Sequence, residues 1–284
     1  MSPTHAIVLS IALHVAWNLL ARHSPGRQQF IWWALAGHLI LVGPWGVYGL
    51  VVDAHWNGRL ASCIGISGGA LALYFIALRV AYRHAPVALA YPIARSAPLF
   101  IALLSSGLFG ETFSFLGAAG IVISSLALIL LGASAWRVDA RRALAPAFLA
   151  ALGTTVYSLS DKVAVTQLPS FASQTGYISL GYLLAWAALT LTLRLETGHW
   201  LPRFRPPLGI LAAGSLSIGM AYALVVYAMA SLPAAYAVAL SNGGILIAAL
   251  LSVFWFKEHE HRRVRLFWAG VLAAGLVLVA CADS

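Results

Sequence analysis

Ten long apolar runs alternate with short polar segments along the chain. Each run has roughly 20 residues, the length that an α-helix needs to cross a hydrocarbon core of ~30 Å. β-Barrels are built from short alternating segments, so continuous runs of this length favour helices. The pattern predicts an all-α protein with ten transmembrane helices, numbered here as spans 1 to 10. The spans cover residues 3–21, 30–52, 60–78, 86–109, 113–136, 145–165, 171–193, 208–232, 234–256 and 266–282.

The composition indicates a chain that is solvated by lipid. It is 61% hydrophobic and 9% charged, whereas a soluble domain is about half apolar and about a quarter charged. The spans use most of the 284 residues, so no sizeable soluble domain is expected. Span 1 is interpreted as a mature helix and not as a signal peptide, because it lacks a basic n-region and carries His14, Trp17 and Asn18.

The basic residues indicate how the chain is oriented. The formal net charge is +9, and most Lys and Arg residues lie in the polar segments that follow spans 1, 3, 5, 7 and 9. Cytoplasmic loops are enriched in these residues, so both termini are predicted to lie outside. The charges form no patch, so no nucleic-acid partner is expected. We expect a multi-pass protein of a bacterial-type inner membrane, either monomeric or homodimeric.

An internal repeat of half the chain length is present. A shift of 147 residues superposes 86–111 on 233–258, and a shift of 140 superposes the end of span 1 on span 6. The matched positions include Pro86/Pro233, Glu111/Glu258, Trp17/Tyr157 and Asn18/Ser158. We therefore predict two five-helix repeats, 1–138 and 139–284. Because five is odd, the second repeat is inverted, an arrangement common in secondary transporters with a substrate site near the midplane between the repeats.

The two halves resemble the EamA-type domains of the drug/metabolite transporter superfamily over nearly the whole chain. The resemblance rests on the segment 14–22, on Pro92 and Pro98 in span 4, and on the turn Gly110-Glu111. It implies ten helices, transport without ATP, and a central cavity lined mainly by spans 1, 3, 4, 6, 8 and 9. The chain departs from the family where Lys257 replaces the glycine of the second turn, and in the predicted position of its termini.

Arg95 is the most informative residue, because it is a permanent cation near the middle of span 4. A charge at that depth costs at least ~2.5–3.5 kcal/mol on insertion scales, so it is expected to face water or a partner. We predict that it binds an anionic group of the substrate, and the alternative is a structural contact. No internal partner is expected, since Asp161 and Glu111 lie near helix ends. Asn242 occupies the repeat position of Arg95.

Further candidates for substrate binding lie on other spans. His14, Trp17 and Asn18 share one face of span 1, and their repeat counterparts are Tyr157 and Ser158. The alternative for this stripe is helix packing and an interfacial tryptophan. Asp161 is a candidate proton carrier or substrate ligand, although an interfacial charge beside a snorkelling Lys162 is the more common interpretation of such a pair. Three tyrosines are candidate pocket residues, with packing as the alternative: Tyr74, Tyr91 and Tyr222.

These features predict a secondary transporter of a small polar, acid-bearing metabolite, with protons as a candidate coupling ion. No cofactor or metal is expected, and the pair His259/His261 is a weak metal signal. The main alternative is a rhomboid-like intramembrane serine protease, because Gly65-Ile66-Ser67-Gly68 matches a GxSG string. We interpret Ser67 as a packing residue, and we expect that the protein is not an enzyme. A non-transporting assembly or receptor protein is a third class.

Overall fold

The computed structural model describes residues 1–23, 27–134, 140–255, 257 and 262–282. Their regular structure is entirely helical, which confirms the all-α prediction for this part of the chain. A 3-10 turn, Val165–Gln167, accompanies the α-helices. In chain order these are α1 (Pro3–His23), α2 (Arg27–Leu41), α3 (Gly43–Asp53), α4 (Gly58–His84), α5 (Val87–Ala94), α6 (Pro98–Phe109), α7 (Phe115–Ala133), α8 (Arg141–Ala164), α9 (Phe171–Thr197), α10 (Leu208–Met229), α11 (Ala234–Ser241), α12 (Gly243–Phe254) and α13 (Arg262–Cys281).

Nine helical segments within the described ranges are long and apolar enough to cross a membrane, and they indicate a multi-pass membrane protein. A tenth is obtained if α2 and α3, which are bent by 55° relative to each other, are counted together. Predicted span 2 is therefore two helices and not one. Pro44 lies in the first turn of α3, where the missing backbone N–H of a proline is tolerated. In the interior of one continuous helix from α2 to α3, the same proline would remove a hydrogen bond and clash with the preceding turn.

Spans 4 and 9 are each interrupted by a short break. The first break separates α5 from α6, and two prolines account for it: Pro92 removes a hydrogen bond within α5, and Pro98 opens the first turn of α6. The second break separates α11 from α12 at Asn242 and contains no proline. Gly243 and Gly244 follow it, and glycine has a low helix propensity. The two prolines of span 4 predict its break, whereas no proline in the sequence predicts the break in span 9.

The chain folds into two compact units, each assembled from two separate segments. Unit 1 contains Met1–Ile76 and Ser160–Ala230, and unit 2 contains Ala77–Leu159 and Ser231–Ser284. Two of the three boundaries between the units fall inside helices, so α4 and α8 each contribute residues to both units. The predicted boundary between the sequence repeats, after residue 138, lies outside the described residues.

Unit 1 contains two long helix pairs, α3 with α9 and α1 with α10. The first pair is in backbone contact at two glycines: a Cβ on Gly176 would lie 2.1 Å from the carbonyl oxygen of Gly46. Small residues of this kind allow membrane helices to approach closely. In the second pair, the Ser10 hydroxyl donates to the carbonyl oxygen of Ala221 at 2.7 Å.

Unit 2 is built on the pair α7 and α13, and α6 also packs on α11. Glycines again mark the contact between α7 and α13. A Cβ on Gly120 would lie 2.8 Å from the Gly275 carbonyl oxygen, and a Cβ on Gly275 would lie 2.7 Å from the Ser124 nitrogen. Each unit therefore has a close contact that a larger side chain would separate.

Candidate functional sites

The first candidate site is formed where the two interrupted spans of unit 2 meet. Arg95 lies at the break that follows α5 and is only 6% exposed. Its Nε–H donates to the side-chain oxygen of Asn242 at 2.9 Å, and its Nη2 donates to the Ser241 hydroxyl at 2.7 Å. The Asn242 amide donates in return to the Arg95 carbonyl oxygen at 3.1 Å. The expectation that Arg95 has no partner in the protein is wrong, because span 9 is also broken and presents Ser241 and Asn242 there.

This pairing joins two residues that the sequence shift of 147 positions superposes. Ser241 and Asn242 are uncharged, so their contacts fix the position of the guanidinium without placing a negative charge beside it. An arginine stays protonated when it is buried, and its planar array of donors suits a carboxylate or a phosphonate. The break thus holds a positioned cation within a membrane-spanning segment.

The second candidate site is centred on Asp161 near the end of α8, in unit 1. Its side chain is 0% exposed, so Asp161 is not a solvent-exposed charge at a helix end. Three hydroxyls from three helices donate to its carboxylate. Ser67 on α4 and Tyr177 on α9 donate to Oδ1 at 2.6 and 2.8 Å, and Tyr222 on α10 donates to Oδ2. Asp161 is therefore the centre of a four-helix polar cluster.

Lys162 follows Asp161 directly but has a different partner. Its Nζ donates to the carbonyl oxygen of Met229 at 2.7 Å. Met229 is the last residue of α10, and a cation is favourable beside the exposed carbonyls of a helix C-terminus. Successive helical residues point about 100° apart, which is why the two charges serve different helices.

Ser67 has a role beyond packing, since it is a donor to Asp161. His14 and His38, two histidines within membrane-spanning helices, make other contacts. His14 Nδ1 lies 3.0 Å from the carbonyl oxygen of Ser10 and 3.2 Å from its hydroxyl, and His38 Nε2 lies 3.0 Å from the Ser179 hydroxyl. The Ser67 hydroxyl donates to a carboxylate.

In the stripe on span 1, His14 and Asn18 form hydrogen bonds within their own helix, α1. The Asn18 amide donates to the His14 carbonyl oxygen at 2.7 Å, and the His14 ring contacts Ser10. Trp17 is 9% exposed, and its indole N–H has no hydrogen-bond partner among the described residues. Trp17 is thus the member of this stripe whose polar atom is left for a ligand or for water.

The remaining predicted site residues are placed in both units. In unit 1, Tyr74 is buried and its ring lies edge-on to Phe75, with centroids 5.1 Å apart. In unit 2, Tyr91 lies half-buried on α5, while Tyr157 and Ser158 are buried on α8. The Ser158 hydroxyl has no hydrogen-bond partner within the described ranges.

Three buried residues with polar side chains were not among the candidates from the sequence. Tyr177 and Ser241 contact Asp161 and Arg95, yet neither has a distinctive spacing or neighbour in the sequence. The third missed residue, His38, is 0% exposed, lies against Gly219 of α10 and is edge-on to Tyr182 at 5.2 Å. Its only sequence signal was a histidine within an apolar run.

Comparisons with known proteins inform the fold alone. No family model matches the chain, and no curated protein matches it. Among solved structures, 29 chains match. One of them, described only as "Crystal structure of protein", is 22% identical, with a TM-score of 0.69, and the alignment covers 99% of this chain and 99% of that one. The chain therefore has a fold that is found in solved structures, matched from end to end.

Proposed function

We propose that the protein is a secondary transporter of a small acid-bearing metabolite, related to the EamA-type drug/metabolite transporters. The observation that carries the proposal is the reciprocal pairing of Arg95 with Asn242 at the breaks of two membrane-spanning segments. Interrupted membrane helices are rare where lipid surrounds them, because the freed backbone groups need polar partners. In secondary transporters such breaks commonly form the substrate site.

Inverted repeats with alternating access are part of the proposal. Two of the three prominent helix pairs support them, since α3 and α9 belong to spans 2 and 7, and α7 and α13 belong to spans 5 and 10. Each of these two pairs joins a helix to its own counterpart in the other repeat, as expected around a pseudo-two-fold axis. The ten-helix count, termini outside and an inner-membrane location complete the proposed topology.

The chemistry of Arg95 narrows the substrate class. A guanidinium forms two parallel hydrogen bonds with a carboxylate or phosphonate, which an ammonium group cannot reproduce. Substrates of the amino-acid, organic-acid or phosphonate type therefore fit this site better than simple cations or sugars. Ser241 and Asn242 hold the guanidinium in place, which lowers the conformational cost of binding.

The proposal is tested by thermal-shift binding in detergent with L-glutamate, succinate, methylphosphonate and tetramethylammonium. We expect stabilisation by at least one of the acids and none by the cation. Arg95→Lys keeps the charge but loses the planar fork, so we expect the affinity for that acid to fall at least about tenfold. Arg59→Lys makes the same change at an exposed position and serves as the control. Binding that is equal in both variants would contradict the assignment of Arg95.

The protease alternative has less support. A serine nucleophile needs a base within hydrogen-bond reach, which in most such sites is a histidine. Ser67 is instead bonded to Asp161, a carboxylate that two tyrosines also bind. This arrangement supports a role for Ser67 in hydrogen bonding between helices and not as an activated nucleophile.

A further inference from the structure

We propose that Asp161 is a proton-binding site through which a proton is coupled to transport. The proposal rests on the proposed function for the coupling step, whereas proton binding by Asp161 is a separate property of the site. The carboxylate is fully buried in unit 1, and the helices that surround it are membrane-spanning segments. An ionisable group in such a place is costly, and in pumps and transporters carboxylates of this kind commonly carry protons.

The partners of Asp161 suit both of its protonation states. A hydroxyl both donates and accepts hydrogen bonds, whereas an ammonium or guanidinium only donates. The three hydroxyls therefore donate hydrogen bonds to the carboxylate when it is charged, and one of them rotates to accept a hydrogen bond from the carboxyl O–H when Asp161 is neutral. An arginine or lysine in their place would fix Asp161 in its charged form. The three hydroxyls belong to Ser67, Tyr177 and Tyr222.

The ionisable groups near Asp161 allow it to be either charged or neutral. Lys162, on the same helix as Asp161, donates to the Met229 carbonyl oxygen. Cys63 on α4 carries a free thiol. Its backbone carbonyl oxygen accepts hydrogen bonds from the Ser160 hydroxyl and, at 3.3 Å, from the Tyr177 hydroxyl. On α9 and α10 the groups that face the carboxylate are Tyr177 and Tyr222 themselves. The three groups that donate hydrogen bonds to the carboxylate are uncharged hydroxyls.

The position of the cluster provides a route from protonation to movement. Hydrogen bonds to a charged carboxylate are stronger than those to a neutral acid, so protonation loosens the contacts that join α4, α8, α9 and α10. The helices α4 and α8 contribute residues to both compact units. Ser67 lies on α4 and Asp161 lies on α8, so a weaker hydrogen bond between them acts directly on these two helices. Coupling of this kind requires only that the two conformations differ in proton affinity.

Proton binding is tested without any substrate, by infrared spectroscopy of the purified protein over a range of pH. We expect a protonated carboxyl C=O band that disappears as the pH rises and is missing in Asp161→Asn. Asp53→Asn is the matched control, because Asp53 is also bound by a serine hydroxyl, from Ser170, at the end of a helix. A spectrum of Asp161→Asn that titrates like the wild type would overturn the assignment, whether or not the protein transports the acids tested.

Coupling is tested in proteoliposomes loaded with the acid that stabilises the protein. We expect Asp161→Asn to reduce uptake driven by a pH gradient at least about tenfold, while exchange of internal for external acid stays within about twofold of the wild type. Asp53→Asn should retain both activities. Gradient-driven uptake that survives in Asp161→Asn, or uptake that follows a sodium gradient and ignores the pH gradient, would refute proton coupling at Asp161. A protein that moves none of the acids fails the proposed function, and the infrared titration still decides whether Asp161 binds a proton.

Discussion

Arg95 and Asn242 exchange hydrogen bonds in both directions, at 2.9 Å from the guanidinium and at 3.1 Å from the amide. Each residue lies at a break in a membrane-spanning segment, and a sequence shift of 147 positions superposes the two. The pairing couples two discontinuities that would each leave backbone groups unsatisfied in lipid. It also gives the cation a fixed position in the membrane-spanning part of unit 2.

The first prediction concerns Asn242. Asn242→Ala removes both bonds and leaves buried groups of Arg95 without that partner, so we expect a loss of about 1–3 kcal/mol in stability. Asn242→Asp keeps an acceptor and adds a negative charge beside Arg95, so it should retain more of the stability while competing with an acidic substrate. Melting temperature and acid affinity, measured on both variants, check this. Stronger acid binding by Asn242→Asp than by the wild type would contradict it.

The second prediction concerns the contact between α3 and α9. Gly176→Ala would place a Cβ 2.1 Å from the Gly46 carbonyl oxygen, so the helices must separate. We expect a loss of about 1–3 kcal/mol, which is typical of overpacking, and a lower melting temperature in detergent. Gly65→Ala is the matched control, because a Cβ there meets nothing within 4 Å outside its own helix turn. Equal melting temperatures for the two variants would show that the contact is not tight.

The third prediction concerns orientation. The distribution of Lys and Arg over the loops predicts that the C-terminus lies outside. Fusion of alkaline phosphatase after Ser284 should give an active enzyme, and fusion of a green fluorescent protein should stay dark. The reverse pattern would overturn the assigned orientation and leave the helical fold unaffected.

The fourth prediction separates the transporter from the protease. Ser67→Ala removes one of three donors to Asp161, so we expect roughly 1 kcal/mol lower stability and transport that is reduced but retained. Tyr222→Phe removes another donor to the same carboxylate and should have a similar effect. If Ser67→Ala abolished all activity at normal expression while Tyr222→Phe did not, Ser67 would act as a nucleophile and the protease interpretation would be favoured.

The helical fold followed from the sequence because hydrophobic run length is a direct physical requirement of the bilayer. The break in span 4 was also foreseeable, since Pro92 and Pro98 cannot continue a helix without loss of hydrogen bonds. The break at Asn242 was not, because the glycines after it are common in membrane helices. The prediction of an unpartnered Arg95 was wrong for that reason.

The cluster around Asp161 could not be read from the sequence. Its members come from four helices, and only the fold brings Ser67 close to a residue 94 positions away. The position of Asp161 late in span 6 suggested an interfacial charge. The sequence gives the position of a residue along its helix, but it does not show which other helices pack around that residue. Asp161 and Tyr222 were both candidates on separate grounds, whereas their contact is a finding of the structure.

Uptake of an acid that stabilises the purified protein, chosen from radiolabelled L-glutamate, succinate and methylphosphonate, is the most direct test of the central claim. The assay compares proteoliposomes that contain the wild type, Arg95→Gln or Arg59→Gln. Hydrogen bonds to a charged group contribute ~1.5–3 kcal/mol each, so Arg95→Gln should lower uptake at least about tenfold. The wild type and Arg59→Gln should accumulate the acid equally. Uptake no greater than in empty liposomes, or equal uptake by Arg95→Gln, would contradict the claim that Arg95 binds a transported acid.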